Sequence, residues 1–288
     1  MIDADTIFAL GILAVFVLPL VAYLLLLAAG RVKRPPSKDK GAGRRIFGPV
    51  FIGYYYWMLR PVFRAAELSG LKPNHITFLS AVAATATAVM IATGHFALAS
   101  ALLIGGSSLD IVDGQLARAR NMESPGGAFL DSTVDRLSDG LIFGGCVVYY
   151  AGTLMMYVSL LALISCYLVS YARVRGESLG LFGVEGLAQR ADRIVMLGIA
   201  LAVSPIVAHH QEGFVARPHY WVTAGAVCLL ALLNTATAVS RISWTLRRLA
   251  KEPVPQVRVR DRVMLTIVTP SDSVPSSGGF DRRGRTSA

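Results

Sequence analysis

The chain has 288 residues, of which 54% are hydrophobic and only 16% charged, and its formal net charge is +10. Several apolar runs reach the ~20 residues needed to cross a bilayer, which excludes a pair of ordinary soluble domains and leaves one membrane domain with appendages. The basic excess does not indicate nucleic acid, because it gathers at the ends of the apolar runs, where membrane topology places it.

In chain order the predicted spans are 6–29, 74–93, 96–118, 127–150, 153–175, 191–210 and 219–245. The first follows Asp3 and Asp5 rather than a basic region, and no small-residue cleavage site ends it, so residues 1–30 read as a retained anchor. RVKRPPSKDKGAGRR (31–45) is a polar linker suited to anionic lipid head groups. IFGPVFIGYYYWMLRPVFRAAELSG (46–70) mixes aromatics with Arg60, Arg64 and Glu67 and is interrupted by Pro61. That composition predicts an interfacial helix within a 31–72 segment; the alternative is a short cytosolic helix pair packed on the membrane domain. Residues 73–250 hold the remaining six spans. Past Lys251 the sequence 256–268 alternates like a strand and 269–288 has a disordered composition, so 251–288 reads as a largely disordered cytoplasmic tail. Cys146, Cys166 and Cys228 all fall within spans, share no ligand spacing and read as small packing residues.

Threading seven spans with the amino terminus outside puts the basic groups Arg118/Arg120, Arg173/Arg175, Arg190/Arg193 and Arg247/Arg248/Lys251 on one cytoplasmic face. The opposite loops, near 94–96, 152–155 and 209–220, hold a single basic residue, Arg217. The positive-inside rule therefore predicts a multi-pass plasma-membrane protein with an outside amino terminus.

Four aspartates stand against this apolar background. Asp110 and Asp113 are three residues apart and Asp131 and Asp135 four apart, so on helices each pair shares a face. Between them Pro125, Gly126 and Gly127 break the helix and allow a tight reversal, which turns the pairs toward each other near the cytoplasmic ends of their spans. Four close carboxylates repel unless cations neutralise them. Arg118, Arg120 and Arg136 offer one solution, a salt-bridge network between two helices. The other is a metal site, and all-oxygen donors select Mg²⁺, Mn²⁺ or Ca²⁺ over zinc. Gly114 and Ala117 remove bulk beside the aspartates, which admits either a flat ligand or a close helix packing. Arg118, one turn beyond Gly114, presents a forked cation for a phosphate. A transporter or channel that uses the carboxylates as an ion pathway is the reading from a different functional class; it calls for midplane carboxylates, whereas these lie at one rim. An inactive structural relative is a further reading, and loss of metal ligands would favour it.

The pattern Asp110-x2-Asp113-Gly114-x2-Ala117-Arg118-x8-Gly127-x3-Asp131-x3-Asp135 resembles, with every gap correct, the signature of the CDP-alcohol phosphotransferase family. The resemblance covers the six-span block and implies an all-α integral membrane fold, a six-helix core to which this chain adds an amino-terminal transmembrane helix and an interfacial helix. It also implies displacement of CMP from CDP-diacylglycerol by an alcohol, and a homodimer. Carried over, Asp110, Asp113, Asp131 and Asp135 would hold two divalent cations, Mg²⁺ or Mn²⁺, with Asp135 also the general base. Gly114, Ala117 and Arg118 would contact CDP, as would Asn74 and Thr77 of the weaker Pro73-Asn74-x2-Thr77 match. Ser170-Tyr171, Arg173/Arg175, Glu177, Gly180 and Arg190/Arg193 are similar to the bacterial phosphatidylinositol phosphate synthases within that family. This implies an anionic acceptor, inositol 1-phosphate, held by Arg173, Arg190 and Arg193, with glycerol 3-phosphate as the alternative. Arg173 departs from the expected Lys, and Gln189-Arg190-Ala191-Asp192-Arg193 from a Glu-Arg-Pro-Glu-Arg-like run.

Overall fold

The computed structural model describes residues 4–32, 49–181, 189–212 and 218–251. These form eight helices: α1 (Ala4–Ala28), α2 (Pro49–Leu68), α3 (Pro73–Thr93), α4 (Phe96–Ala119), α5 (Pro125–Tyr149), α6 (Leu154–Ser178), α7 (Arg190–Glu212) and α8 (Trp221–Lys251). Six of them, α1, α3, α4, α6, α7 and α8, are long and apolar enough to cross a membrane. The seventh expected span, α5, has the length at 25 residues but carries Asp131, Asp135, Arg136 and Asp139 in its first four turns. The basic linker, the strand-like stretch at 256–268 and the rest of the tail lie outside the described residues. Compact packing runs through Arg248, and residues 249–288 form a second unit, of which the described part is the end of α8.

Local chemistry sets the turns. Pro73 opens α3 at a position where a missing N–H costs nothing. Gly94, in the left-handed region at φ +89, closes it while His95 N–H returns to Met90 O at 2.8 Å. Asn121 (φ +53) ends α4 in the same way, with Met122 N–H returning to Ala117 O. Ser124 then caps α5, its hydroxyl accepting from Gly127 N–H at 3.0 Å, with Pro125 in the first turn. This cap and the Asn121 turn make the expected reversal between the aspartate pairs.

Helix α3 packs against both α4 and α5. Two glycines permit the approach. A Cβ on Gly145 would lie 2.6 Å from the Ala88 carbonyl oxygen, and one on Gly106 would lie 2.9 Å from Ala83 Cβ. Small residues replace bulk at helix contacts in a membrane, where the lipid is as apolar as leucine. Ile91, Phe96, Leu103, Phe143, Leu201 and Val227 lie in one buried core across α3, α4, α5, α7 and α8. Side-chain hydrogen bonds join neighbours: Ser100 Oγ to Gly198 O at 2.7 Å, Ser204 Oγ with Thr223 Oγ1 at 2.7 Å, and Arg241 Nη1 to Val169 O at 2.8 Å.

The amino-terminal helix is seated on this bundle. α1 packs against α2, α4 and α7; the Tyr54 hydroxyl donates to Phe16 O at 2.7 Å, and Tyr23 meets the Tyr54 and Trp57 rings. α2 in turn packs on α4, through a Tyr55–Ser108 hydroxyl pair at 2.8 Å. Pro61, expected to interrupt this segment, lies inside a continuous helix. One lost backbone hydrogen bond is outweighed by the tertiary contacts on both sides of it. Arg120, at the end of α4, fixes the far end of α2 by donating to the carbonyls of Glu67 and Leu71.

Candidate active site

The reversal between α4 and α5 brings the aspartates to one end of the bundle, as their spacing predicted. Asp110, Asp113 and Asp131 each place a carboxylate oxygen within 4.8 Å of the others. Oxygens sharing a hard cation at roughly 2.0–2.6 Å lie at most about 5 Å apart, so this trio fits one. Asp113 is buried, and Thr77 Oγ1 hydrogen-bonds its Oδ2. Ser80 Oγ lies 3.5 Å from Asp110 Oδ1. Thus α3 contributes two hydroxyls that orient the acidic groups of α4. Thr77, expected at the nucleotide, reaches a carboxylate instead.

Asp135 stands beside the trio. Its Oδ1 lies 2.6 Å from Arg190 Nη1 and its Oδ2 lies 3.5 Å from Arg136. The same Arg190 nitrogen is 2.5 Å from Asp110 Oδ2, and its Nε is 3.4 Å from Asp139 Oδ1. Arg190, expected at an acceptor pocket, is therefore threaded into the carboxylates themselves. Of the cations proposed from sequence to compensate the acids, Arg136 takes part. Arg120 is engaged with α2, and the Arg118 guanidinium lies over Gly114, where a Cβ would sit 3.6 Å from Nη1. Ala117 lies between Gly114 and Arg118 on the same stretch of α4, half-buried. Asn74 is exposed beside the start of α5, its Oδ1 3.8 Å from where a Gly127 Cβ would be.

Asp139, one turn past Asp135 on α5, is a fifth acidic member that the sequence reading passed over. It accepts from Arg193 Nη2 at 3.1 Å and from Cys166 Sγ at 3.3 Å. Its signal was its place four residues after Asp135, on the same helix face. Asp139 thereby fixes both α7 arginines: Arg193, which is buried, and Arg190. Arg173 lies apart from the carboxylates, exposed at the end of α6 and paired with Glu177 at 2.9 Å. Arg241 on α8 is a further basic residue missed from sequence. It lies within electrostatic range of Arg173, Arg193 and Glu177, and its buried Nε has no hydrogen-bond partner among the described residues. A lone arginine in an apolar run was the available clue.

The charge balance of the site is uneven. Five carboxylates face Arg136, Arg190 and Arg193, and among the described residues no basic group lies within ion-pair distance of Asp113 or Asp131. Among the described residues Asp135 Oδ1 is buried without hydrogen-bond geometry despite its short ion pair. Buried acids in this state call for further positive charge, and oxygen donors alone favour a hard divalent cation. Next to the acids is a cavity of about 310 Å³ lined by Tyr55, Tyr56, Asp110, Gln189, Arg190 and Asp192 among others, a size in the range of small-ligand sites.

The chain is similar to known proteins. Residues 71–233 match the model of the CDP-alcohol phosphatidyltransferase family. An archaetidylinositol phosphate synthase of Methanothermobacter thermautotrophicus is 35% identical over 195 residues, covering 66% of this chain and 93% of that protein. A phosphatidylinositol phosphate synthase of Streptomyces avermitilis is 36% identical over 177 residues, covering 59% of this chain and 71% of that protein. The crystal structure of Mycobacterium tuberculosis phosphatidylinositol phosphate synthase with CDP-DAG bound superposes with a TM-score of 0.55 at 27% identity, covering 64% of this chain and 92% of that one. The same mycobacterial enzyme in complex with manganese and citrate gives a TM-score of 0.56. The match covers more than half of the chain and includes every helix that carries an acidic member of the site, so this multi-pass membrane protein belongs to the CDP-alcohol phosphatidyltransferase family.

Proposed function

We propose that the protein transfers a phosphatidyl group from CDP-diacylglycerol to the hydroxyl of inositol 1-phosphate and releases CMP, with 73–250 as the catalytic block. The observation that carries this reading is the junction of the acidic cluster with Arg190 and Arg193 of α7, from which a band of arginines continues to Arg241 of α8 and Arg173 of α6. An acidic cluster alone suits a cation and a diphosphate; Arg193, paired with Asp139, and Arg241, within electrostatic range of both Arg193 and the outlying Arg173, suit an acceptor that brings its own phosphate. The archaeal and bacterial relatives named above differ in the lipid their names specify and share inositol phosphate, which supports the acceptor over glycerol 3-phosphate.

Asp110, Asp113 and Asp131 would hold divalent cations, with Asp135 completing the set; two ions, Mg²⁺ or Mn²⁺, match the four carboxylates. When bound, such ions neutralise charge developing on the diphosphate. Arg118, over Gly114, faces phosphate with a forked donor, and Gly114 and Ala117 leave room for the nucleotide beside Asn74. The acceptor hydroxyl oxygen bonds to the phosphorus that carries diacylglycerol, and the bond from that phosphorus to the bridging oxygen breaks. CMP leaves with the electron pair, and Asp135 accepts the hydroxyl proton. The arginine-rich end faces the cytoplasm in this reading, with the amino terminus outside and a homodimer as the assembly.

The test is CMP release by purified protein with CDP-diacylglycerol, Mg²⁺ or Mn²⁺, and a panel of inositol 1-phosphate, glycerol 3-phosphate, inositol and serine. CDP-archaeol serves as a second donor. Metal-dependent release with inositol 1-phosphate is expected. Release with glycerol 3-phosphate alone reassigns the acceptor, and no release with any acceptor overturns the transferase reading.

A further inference from the structure

Helix α1 lies outside the residues that match the family, yet it is built into the bundle rather than tethered to it. Ala9 and Tyr23 are fully buried, and Tyr54 of α2 hydrogen-bonds the backbone of Phe16. Between this helix and the core is a crevice of about 1100 Å³. Ile7, Gly11 and Val15 of α1 form one wall, Met58 of α2 lies at one side, and Val82 of α3 and Gly105 of α4 stand opposite. Its lining is almost wholly apolar. Phe8, Val15, Leu79 and Val82 along it are each about half exposed or more, so it opens sideways, toward the lipid.

Two observations identify an occupant. The first is continuity with the catalytic end. Ser108 and Leu109, which line the crevice, immediately precede Asp110, and Gly106 lines both the crevice and the small recess that reaches Asp110 and Arg190. The second is size and chemistry. If a methylene fills roughly the ~30 Å³ a water takes in the liquid, the crevice accommodates a few tens of methylenes, which is one or two long hydrocarbon chains. Nothing in the lining recognises a polar ligand other than the Ser108 hydroxyl, which is already paired with Tyr55.

We infer that α1 is the outer wall of a hydrocarbon-chain site, which holds an acyl chain of the CDP-linked lipid donor while its diphosphate sits at the aspartates. This rests on the donor named in the proposed function. It makes the extra helix a determinant of chain preference and the donor's lateral entry a route between α1 and α3.

Gly11 provides the test, because a Cβ there meets nothing within 4 Å and the position lines the crevice. Gly11→Leu and Gly11→Trp add bulk to the crevice wall from a position where the Cβ itself has room. Each excluded methylene is worth about fourfold in affinity. The wider variant is thus expected to raise KM for CDP-dioleoylglycerol about tenfold with kcat little changed, and to leave kcat/KM for CDP-dioctanoylglycerol within about twofold. Gly11→Leu moves the same ratio less. Equal losses for both donors, or no loss for either, overturn the inference. A second measurement needs no turnover. A CDP-diacylglycerol with a diazirine near the end of one acyl chain is irradiated with the wild-type protein in nanodiscs, and the labelled peptide is identified. Label within residues 4–28 that unlabelled CDP-diacylglycerol competes away is expected. Label absent from α1, or label that ordinary phosphatidylcholine displaces equally, shows ordinary bilayer lipid and overturns it. If the wild-type protein releases no CMP from either donor, it is the proposed function that fails, and the competition experiment alone decides the crevice.

Discussion

The two ends of the helical bundle solve the same problem in opposite ways. At one end Phe96 stacks on Tyr220 with ring centroids 4.1 Å apart and meets Tyr149 at 4.7 Å. The phenols there donate to backbone carbonyls: Tyr149 to Pro218 at 2.5 Å and Tyr220 to Gly94 at 3.0 Å. Neutral groups close the loops, and amphipathic rings suit a membrane boundary. At the other end five acids, buried or half-buried, outnumber the three arginines among them, and among the described residues Asp135 Oδ1, though ion-paired, and Arg241 Nε find no hydrogen-bond partner. A family of helices that can satisfy polar groups with tyrosines and carbonyls does so where stability is the requirement. Where it leaves charge unsettled, the settling is left to something the protein binds. Substitutions at the first end are therefore expected to act on stability and at the second on chemistry, and this division can be broken residue by residue.

The largest effect is expected for Asp135→Asn. Loss of a general base costs about 10³-fold, so kcat for CMP release is expected to fall by that order while CDP binding, measured by calorimetry, changes little. Retained turnover removes Asp135 as the base and leaves it an ion-pair partner of Arg190. Next is Arg190→Gln. Arg190 meets Asp110, Asp135 and Asp139 at once, and removing one partner of a largely buried pair strands the other, at about 3 kcal/mol or more. The melting temperature is expected to drop sharply in a chelator and to recover in part with Mn²⁺, because a divalent cation supplies the lost charge. A drop that Mn²⁺ leaves unchanged places Arg190 outside the cation's reach.

Much of this architecture was legible because helices are local. Hydropathy set α4 at 96–118, and the structure has Phe96–Ala119; three- and four-residue spacings put each acidic pair on one face. What was not legible depended on partners far along the chain. Asp139 gains its place from Arg190 and Arg193, 51 and 54 residues later, and no local pattern marks that meeting. Arg190 read as an acceptor contact because its helix end was visible and its reach into the acids was not. Nor did the spacing show that α3 packs on both acidic helices. That approach depends on single missing Cβ atoms, and it can be tested one turn before the aromatic end of α5. Gly145→Ala would set a Cβ 2.6 Å from the Ala88 carbonyl oxygen. A shift of α3 against α5 is expected to cost about 1–3 kcal/mol, read as a lower melting temperature. Because α3 also carries Thr77 and Ser80, a several-fold loss of kcat/KM is expected with it.

The smallest effect belongs to the aromatic end, and it is the sharpest check on the division. Tyr149→Phe deletes one hydroxyl and leaves the ring contacts with Phe96, Tyr150 and Tyr220 in place. The Pro218 carbonyl that accepted from it loses a hydrogen bond, a change of about 1 kcal/mol. The melting temperature is expected to fall by a few degrees, with KM for donor and acceptor and the metal dependence all unchanged. The reason is distance along the helix: α5 runs from Asp131 and Asp135 in its first turns to Tyr149 at its end, and the close approach to α3 at Gly145 lies between them. A kinetic change in Tyr149→Phe without a matching loss of stability would mean that α5 transmits strain along its whole length, and the two ends would then have to be treated as one coupled site.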